Sequence, residues 1–526
     1  RGVWGSTRSP AAARARRERR RSTPMVALPV RWKSIGAWAV AAALAAALPF
    51  HPAAAVETNS ADQPSKQSDR KSRDKPDKHD GKAADKSDTK SDNRADESES
   101  PPEGYGEEKL EDPCEPQKLL VDFELRQRLC QAGIKLGVIE TSEVLANPSG
   151  GLRQGAIYEG VTDLSLALDL RKPLHLRGNF FMRAYQIHGR GLTLGNTANL
   201  NEISGIEALA TSRLVELWYE QHFDNWRLRV GQQTIGTEFL SAESSRVFIN
   251  GALGWPTQPA IDLPTGGPGY PLGTPAVRLR VDPEKGVTLF LAMFNADPTG
   301  AGVGGSQLRD ASGTAFRTND GAFVISELRY NPDSSDRKGT YRFGGWWNSE
   351  RFRDLHLDTN GVSLASPGSN GRGRQHNNDF GGYGIIDQPV FFNEADHSSA
   401  NIFARAMGAP GDRNLVDLYI DGGVVYKGPF GRADDEIGLG FGYAKIGNAA
   451  RAFDGDVVRF SGAFHPIRSG ETVLELTYRF QLTGWWQLQP DFQYVFNPSG
   501  GIVNPNAPSR RVADAAVVGL RTAISF

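Results

Sequence analysis

Arginine recurs at a spacing of two in two short segments of this 526-residue chain. Arg227 and Arg229 lie within Trp226–Val230, and Arg278 and Arg280 within Ala276–Val281. In extended backbone, side chains two apart share a face, so each segment presents two guanidinium groups side by side with apolar residues behind them. A guanidinium fork pairs bidentately with carboxylates, phosphates or neighbouring hydroxyls. Carboxylates accept hydroxyl hydrogens, and a flat aromatic ring suits the C–H face of a cyclic polyol. The same alternation places Arg177 and Arg183 on one segment, Glu216 and Trp218 on another, and Asp417 on a later one. The Gly- and Pro-containing stretch 235–273, between the two arginine segments, adds Glu238, Glu243 and Arg246. These twelve residues are the candidate solute pathway. The plainer alternative is that most of them pair with one another and keep a lumen wet.

Other chemistry finds no support. The nine His are scattered, no G-x-S-x-G elbow occurs, and neither a phosphate-binding glycine loop nor a metal-ligand cluster is present in the sequence. The expectation is a binding and selecting protein, not an enzyme, with no cofactor and no metal.

The elements that would position these residues follow from periodicity. From about Lys135 the apolar period is two and stays two. About sixteen segments read as strands: roughly 135–146, 155–170, 174–188, 210–222, 226–234, 274–282, 287–296, 321–331, 339–349, 378–391, 399–410, 414–427, 435–447, 470–481, 486–496 and 514–526. Short polar turns follow the second, fourth, sixth and fourteenth, whereas long segments follow the third, fifth, seventh and ninth, the longest being 235–273. That sorting matches an even-stranded transmembrane antiparallel β-barrel, with turns in the periplasm and loops outside. Beyond the N-terminus, no apolar run approaches the roughly 20 residues that a membrane helix requires. Within the Asp421-Gly422-Gly423 run, the glycines suggest an irregularity in the strand. Several Trp and Tyr near strand ends, among them Trp226, Trp346 and Trp347, suit an interfacial aromatic girdle.

The N-terminal quarter is organised differently. Residues 1–24 are Arg-rich and of low complexity, upstream of Met25 as the better start. Residues 25–55 read as a signal peptide, with Arg31 and Lys33 before an apolar stretch Ile35–Phe50 and an Ala53–Ala55 cleavage site. Residues 1–55 hold ten Lys and Arg and one Glu, a net of +9; removing +9 from −1 leaves −10 for 56–526. An acidic remainder argues against nucleic-acid binding. Residues 56–112 are Lys/Asp/Ser-rich and too poor in apolar side chains to pack, hence a disordered linker. In 113–134, FELRQRLCQAGI (123–134) has the apolar spacing of a short amphipathic helix ending near Gly133. Export would place Cys114 and Cys130 in an oxidising compartment, where they can pair. The barrel itself is 135–526.

The last segment puts Val518, Leu520, Thr522, Ile524 and Phe526 on one face. A terminal Phe on such a strand resembles the signal read by the barrel-assembly machinery. Five blocks, in order, resemble the carbohydrate-selective porins of Gram-negative outer membranes, the OprB family. They are RQRLCQAGIKLGVIETSEVLANPSGG (126–151), LRVGQQTIGTEFLSAESSRVFINGALGWP (228–256), GGYGIIDQPVF (381–391), DLYIDGGVVYKGPFGRADDEIGLGFGYAKI (417–446) and ETVLELTYRFQLTGWWQLQPDFQYVFNP (471–498).

The resemblance implies a sixteen-stranded barrel in outer-membrane lipid that passes sugars such as glucose by facilitated diffusion; a homotrimer and a monomer are both open. It also implies an extracellular loop folded inward, for which 235–273 beside Arg227/Arg229 and Arg278/Arg280 is the candidate. A porin for anions and a structural envelope barrel are the alternatives that the residues leave open.

Overall fold

The structure is a computed structural model, and it describes residues 124–332, 339–395 and 397–526. The expectations for residues 1–24, 25–55, 56–112 and Cys114 lie outside the described residues. Twenty strands are present among those described. The first nine are β1 (Ile134–Gly151), β2 (Gly155–Asp169), β3 (Gly178–Gly189), β4 (Thr211–His222), β5 (Trp226–Gln233), β6 (Thr274–Glu284), β7 (Val287–Asn295), β8 (Ala322–Tyr330) and β9 (Thr340–Asn348). Then come β10 (Phe352–Asp358), β11 (Gly373–His376), β12 (Asp379–Asn393), β13 (Ser398–Gly408), β14 (Val416–Lys427) and β15 (Glu436–Ile446). The chain closes with β16 (Gly470–Thr483), β17 (Trp486–Phe496), β18 (Val503–Asn504), β19 (Ala507–Arg511) and β20 (Ala513–Ser525).

Sixteen of these form one closed antiparallel barrel, each paired with its sequence neighbour and β20 paired with β1. Every barrel strand overlaps a segment of period two in the sequence. The remaining four form two small hairpins outside the barrel, β10–β11 and β18–β19. Closure leaves no edge, so every strand finds ladder partners on both sides.

Polarity is inverted relative to a water-soluble barrel. Outward positions such as Val144, Val230, Leu291, Leu439, Leu476 and Leu520 are exposed, while Glu143, Arg183, Glu220, Arg278, Asp421 and Glu475 are buried inside. A register slip of one residue would exchange these sets. Opposed pairs such as Glu143↔Arg521 and Arg183↔Glu216 hold the register with matched charges.

The helix that the spacing predicts forms as α1 (Glu124–Gln131), with Gly133 at φ +83° ending it, and it lies at the short-turn end. Its Arg126 donates to the carbonyls of Phe526 at 2.6 Å and Leu136 at 3.2 Å, tying the helix to the β1–β20 seam. Cys130 is disulfide-bonded.

Two expectations are corrected. The β14 register runs unbroken through Asp421-Gly422-Gly423, with its one shift between Val416 and Leu418. The glycines are there for space: a Cβ at Gly423 would lie 2.8 Å from the Phe403 ring. Trp346 points inward and stacks on Phe323, so it belongs to no girdle, whereas Trp347 faces out.

Candidate functional site: a charged constriction in the barrel lumen

Residues 234–273 do not stand clear of the rim. They run through the interior and fasten to wall strands on every side. Thr234 N and Oγ1 donate to Glu216 of β4 at 3.2 and 3.1 Å, and Leu240 N to Glu327 of β8 at 3.3 Å. Ser244 N and Oγ reach Asp387 of β12 at 2.8 and 2.6 Å. Ile249 N and Asn250 N reach Glu475 of β16 at 2.6 and 3.0 Å. Buried carboxylates here act as acceptors for backbone N–H groups that no sheet or helix satisfies.

Apolar packing completes the fit. Phe239, Phe248, Leu253 and Trp255 of the loop pack against Phe290, Phe323, Tyr383 and Phe403 of the wall, and this is where the molecule's main apolar core sits. A second inward loop, 190–210, lies against the first: Gly205 N donates to Ile249 O at 2.9 Å and Gly251 N to Glu202 O at 2.8 Å. A cavity of about 30 Å³ between the loops is bordered by Arg246, Asn250 and Arg521, and it admits water, not a sugar ring.

The loop brings Glu238 to the arginine strands. Its carboxylate accepts from Arg278 Nε at 2.7 Å and lies 3.5 Å from Arg229 Nη2. Glu220 on β4 takes the same two arginines, Arg229 Nε at 3.0 Å and Arg278 Nη2 at 2.7 Å. The result is two guanidiniums and two carboxylates in alternation, where each buried charge has opposite neighbours. Toward the short-turn end the balance shifts. Arg227 stands opposite Arg280 in the β5–β6 register, and both are half-buried. Arg280 pairs with Asp282 at 3.1 Å, and Arg329 with Glu327 at 2.6 Å. The Phe290 ring gathers three of these cations, with Arg329 at 4.2 Å and Arg278 and Arg280 each at 5.7 Å.

Trp218 is 3% exposed. It lies between Phe181 of β3, stacked at 5.0 Å, and Arg229 of β5, whose guanidinium carbon is 3.9 Å from the ring centroid. Opposite it is Gly231 at φ +138°, where a Cβ would come within 2.3 Å of Leu217 O and 2.9 Å of Trp218 Cβ. Glycine is required there by both conformation and space.

The structure therefore gathers eight of the twelve candidates along β3–β6 and the loop: Arg183, Glu216, Trp218, Arg227, Arg229, Glu238, Arg278 and Arg280. Arg183 pairs with Glu216 at 3.2 Å and Asp163 at 3.4 Å, one step toward the long-loop end. Four lie elsewhere. Glu243 and Arg246 pair with each other at 3.3 Å farther along the loop. Asp417 is held by Lys445 at 2.7 Å near the long-loop end of β14. Arg177 precedes β3, is exposed, and pairs with Asp224 across the turns.

The family described as "Carbohydrate-selective porin, OprB family" matches residues 153–526. The chain belongs to the carbohydrate-selective porin family. Porin B of Pseudomonas aeruginosa is 25% identical over 405 residues, 71% of this chain and 85% of that one. A putative porin, QuiX, of Acinetobacter baylyi is 22% identical over 76% of this chain and 91% of its own. The high-pH structure of Pseudomonas putida OprB superposes with a TM-score of 0.68 at 23% identity, covering 77% of this chain and 96% of that one, and so shares its fold. Like its family, the chain is an outer-membrane β-barrel.

In this family member, sequence reasoning passed over several residues that seat the two inward loops. Arg405, Glu471 and Asp387 are single inward charges with no two-residue partner to advertise them, and Phe290 reads as an ordinary strand apolar. Arg405, fully buried on β13, donates to the carbonyls of Ala252, Leu253 and Gly254 at 3.0 Å each and pairs with Asp421. The signal available was an arginine alternating with apolar residues in IFARAM, the pattern that located β5 and β6.

Proposed function

We propose that this barrel is a passive channel for carbohydrates, monosaccharides such as glucose among them, and that it catalyses no reaction. One observation carries the reading: the inward loop seats Glu238 between Arg229 and Arg278, beside the half-open Arg227 and Arg280. The half-exposed Arg227 and Arg280 offer a polyol closely spaced donors, and the largely buried charges behind them are each oriented by a neighbour of opposite sign. Because the buried charges alternate, a neutral polyhydroxyl solute passing Arg227 and Arg280 meets no large trapping potential. The names of the relatives, Porin B and OprB, and the family's description agree with this reading.

The outward apolar belt suits lipid contact, and Phe526 at the end of β20 suits recognition by the barrel-assembly machinery. A homotrimer and a monomer are both compatible with the closed barrel.

A second reading has its own observation. Arg227 and Arg280 oppose each other in register, with Asp282 paired to Arg280, and that concentration of cations favours anion entry. Liposome swelling with purified protein separates the two. Glucose, a disaccharide and an anionic solute of similar size are compared. Faster entry of the neutral monosaccharide supports the carbohydrate channel, faster anion entry supports the second reading, and no swelling from folded protein removes both.

A further inference from the structure

We propose that Arg405 is a positioning residue for Glu238 in the constriction, acting across the lumen through the backbone of Leu240, in addition to the bond that Arg329 gives the Glu238 carbonyl. This rests on the channel reading given above.

The loop reverses just after Glu238. Leu240 has φ +61°, the left-handed region that a branched aliphatic residue rarely adopts. Such a conformation persists only where the surroundings over-determine it, and two wall residues do so here. Glu327 of β8 accepts from Leu240 N at 3.3 Å, and Arg405 of β13 donates through Nη1 to Leu240 O. Strands β8 and β13 are separated by β9 and β12 in the barrel, so the turn is gripped from two separate parts of the wall.

Arg405 is built for this and for little else. Its side chain is fully buried and its donors are divided between Asp421 and loop carbonyls. Three of those carbonyls end helix α2 (Gly251–Gly254), where a cation is favoured. Tyr419 of β14 adds a bond to Ala252 O at 2.9 Å. Asp421 therefore serves to hold the guanidinium, and the guanidinium holds both limbs of the loop together. A lysine has one donor centre and cannot span Leu240, the end of α2 and Asp421 together.

Glu238 is two residues from this pinned turn, and it is the loop's carboxylate on Arg229 and Arg278. Releasing the turn lets Glu238 withdraw, which leaves the two arginines with Glu220 alone and the constriction more positive.

The test uses the full-length protein refolded in planar bilayers, with a Leu replacement of both Arg405 and Asp421 so that no lone buried charge remains. The reversal potential in a KCl gradient should move in the anion-selective direction, by several-fold in permeability ratio, with the same sign as Glu238→Gln. Combining the two changes should move it no farther than Glu238→Gln alone. Carbodiimide labelling of Glu238, read by mass spectrometry, should rise several-fold in the double replacement. Unchanged selectivity with unchanged labelling, or additive selectivity shifts, would overturn the proposal. If the unmodified protein fails to conduct, the channel reading falls, and the labelling result alone still decides for or against Arg405. Arg405→Lys should resemble the double replacement, not the native chain.

Discussion

The guanidinium of Arg229 lies over the ring of Trp218, 3.9 Å from its centroid, and Phe181 stacks on Trp218 at 5.0 Å. A tryptophan covered in this way is a platform for an arginine, not a stacking surface for a sugar. A desolvated cation–π contact contributes about 2 kcal/mol, enough to fix the rotamer of Arg229 in its bonds to Glu220 and Glu238. Trp218→Leu should therefore weaken sugar block of the ion current about tenfold, while Trp218→Phe should keep most of it. Current-noise analysis with glucose would measure both, and equal affinity in all three proteins would contradict the assignment.

Arg227 and Arg280 are the half-exposed members of the cluster, and charged groups that line a pore set its selectivity. Alanine at both positions should raise single-channel conductance about twofold and lower the chloride-to-potassium permeability ratio. Glu238→Gln should raise that ratio. Conductance and reversal potential that do not change in either variant would show that the narrowest passage lies elsewhere.

Arg126 holds the seam where the first and last barrel strands meet. Losing its two charge-assisted bonds should cost about 1–3 kcal/mol. Arg126→Ala should migrate as unfolded protein on a heat-modifiability gel after heating to a temperature several degrees lower than the native chain needs. A transition at the native temperature would mean that the β1–β20 ladder suffices by itself.

The long-loop end carries a cap sensitive to acid. The β10–β11 hairpin meets helix α4 (Asn448–Ser461; α3 being Thr257–Asp262) through His356 and Asp456 at 2.8 Å. The bond from His356 holds the Asp456 carboxyl below the usual carboxylate range. Burial pushes Asp454 up, but Arg468 at 2.8 Å and then His465 outweigh it, so its carboxyl also titrates low. A carboxylate depressed on folding stabilises above its unfolded pKa, near 4, and that contribution is lost as pH falls through the folded value. Protease cleavage within 352–376 should therefore stay slow at neutral pH and accelerate only below about pH 4. Asp456→Asn should show faster cleavage already at neutral pH. Cleavage that begins near pH 6 would instead implicate the histidines.

The barrel was legible because its determinant is local. Period-two alternation fixes which face of a strand meets lipid and which meets the lumen, and each of the sixteen strands carries that pattern within its own ten or so residues. Inward charges such as Arg229, Arg278 and Glu216 could be named for the same reason, as could the short turns, whose residues are close in sequence. Helix α4 and the hairpins outside the barrel escaped notice because they lie in connections where no lipid boundary imposes a period.

What residues 234–273 do inside the lumen was settled only by tertiary structure. Leu240 adopts its left-handed turn because Glu327 and Arg405, 87 and 165 residues away in the chain, satisfy its N–H and carbonyl. Trp218 becomes a covered platform because Phe181 and Arg229 arrive from the strands on either side. The chain order alone states that these charges face inward. Which charge neutralises which depends on closure, since closing the barrel brings distant carboxylates and guanidiniums within hydrogen-bonding distance, where their side chains are buried.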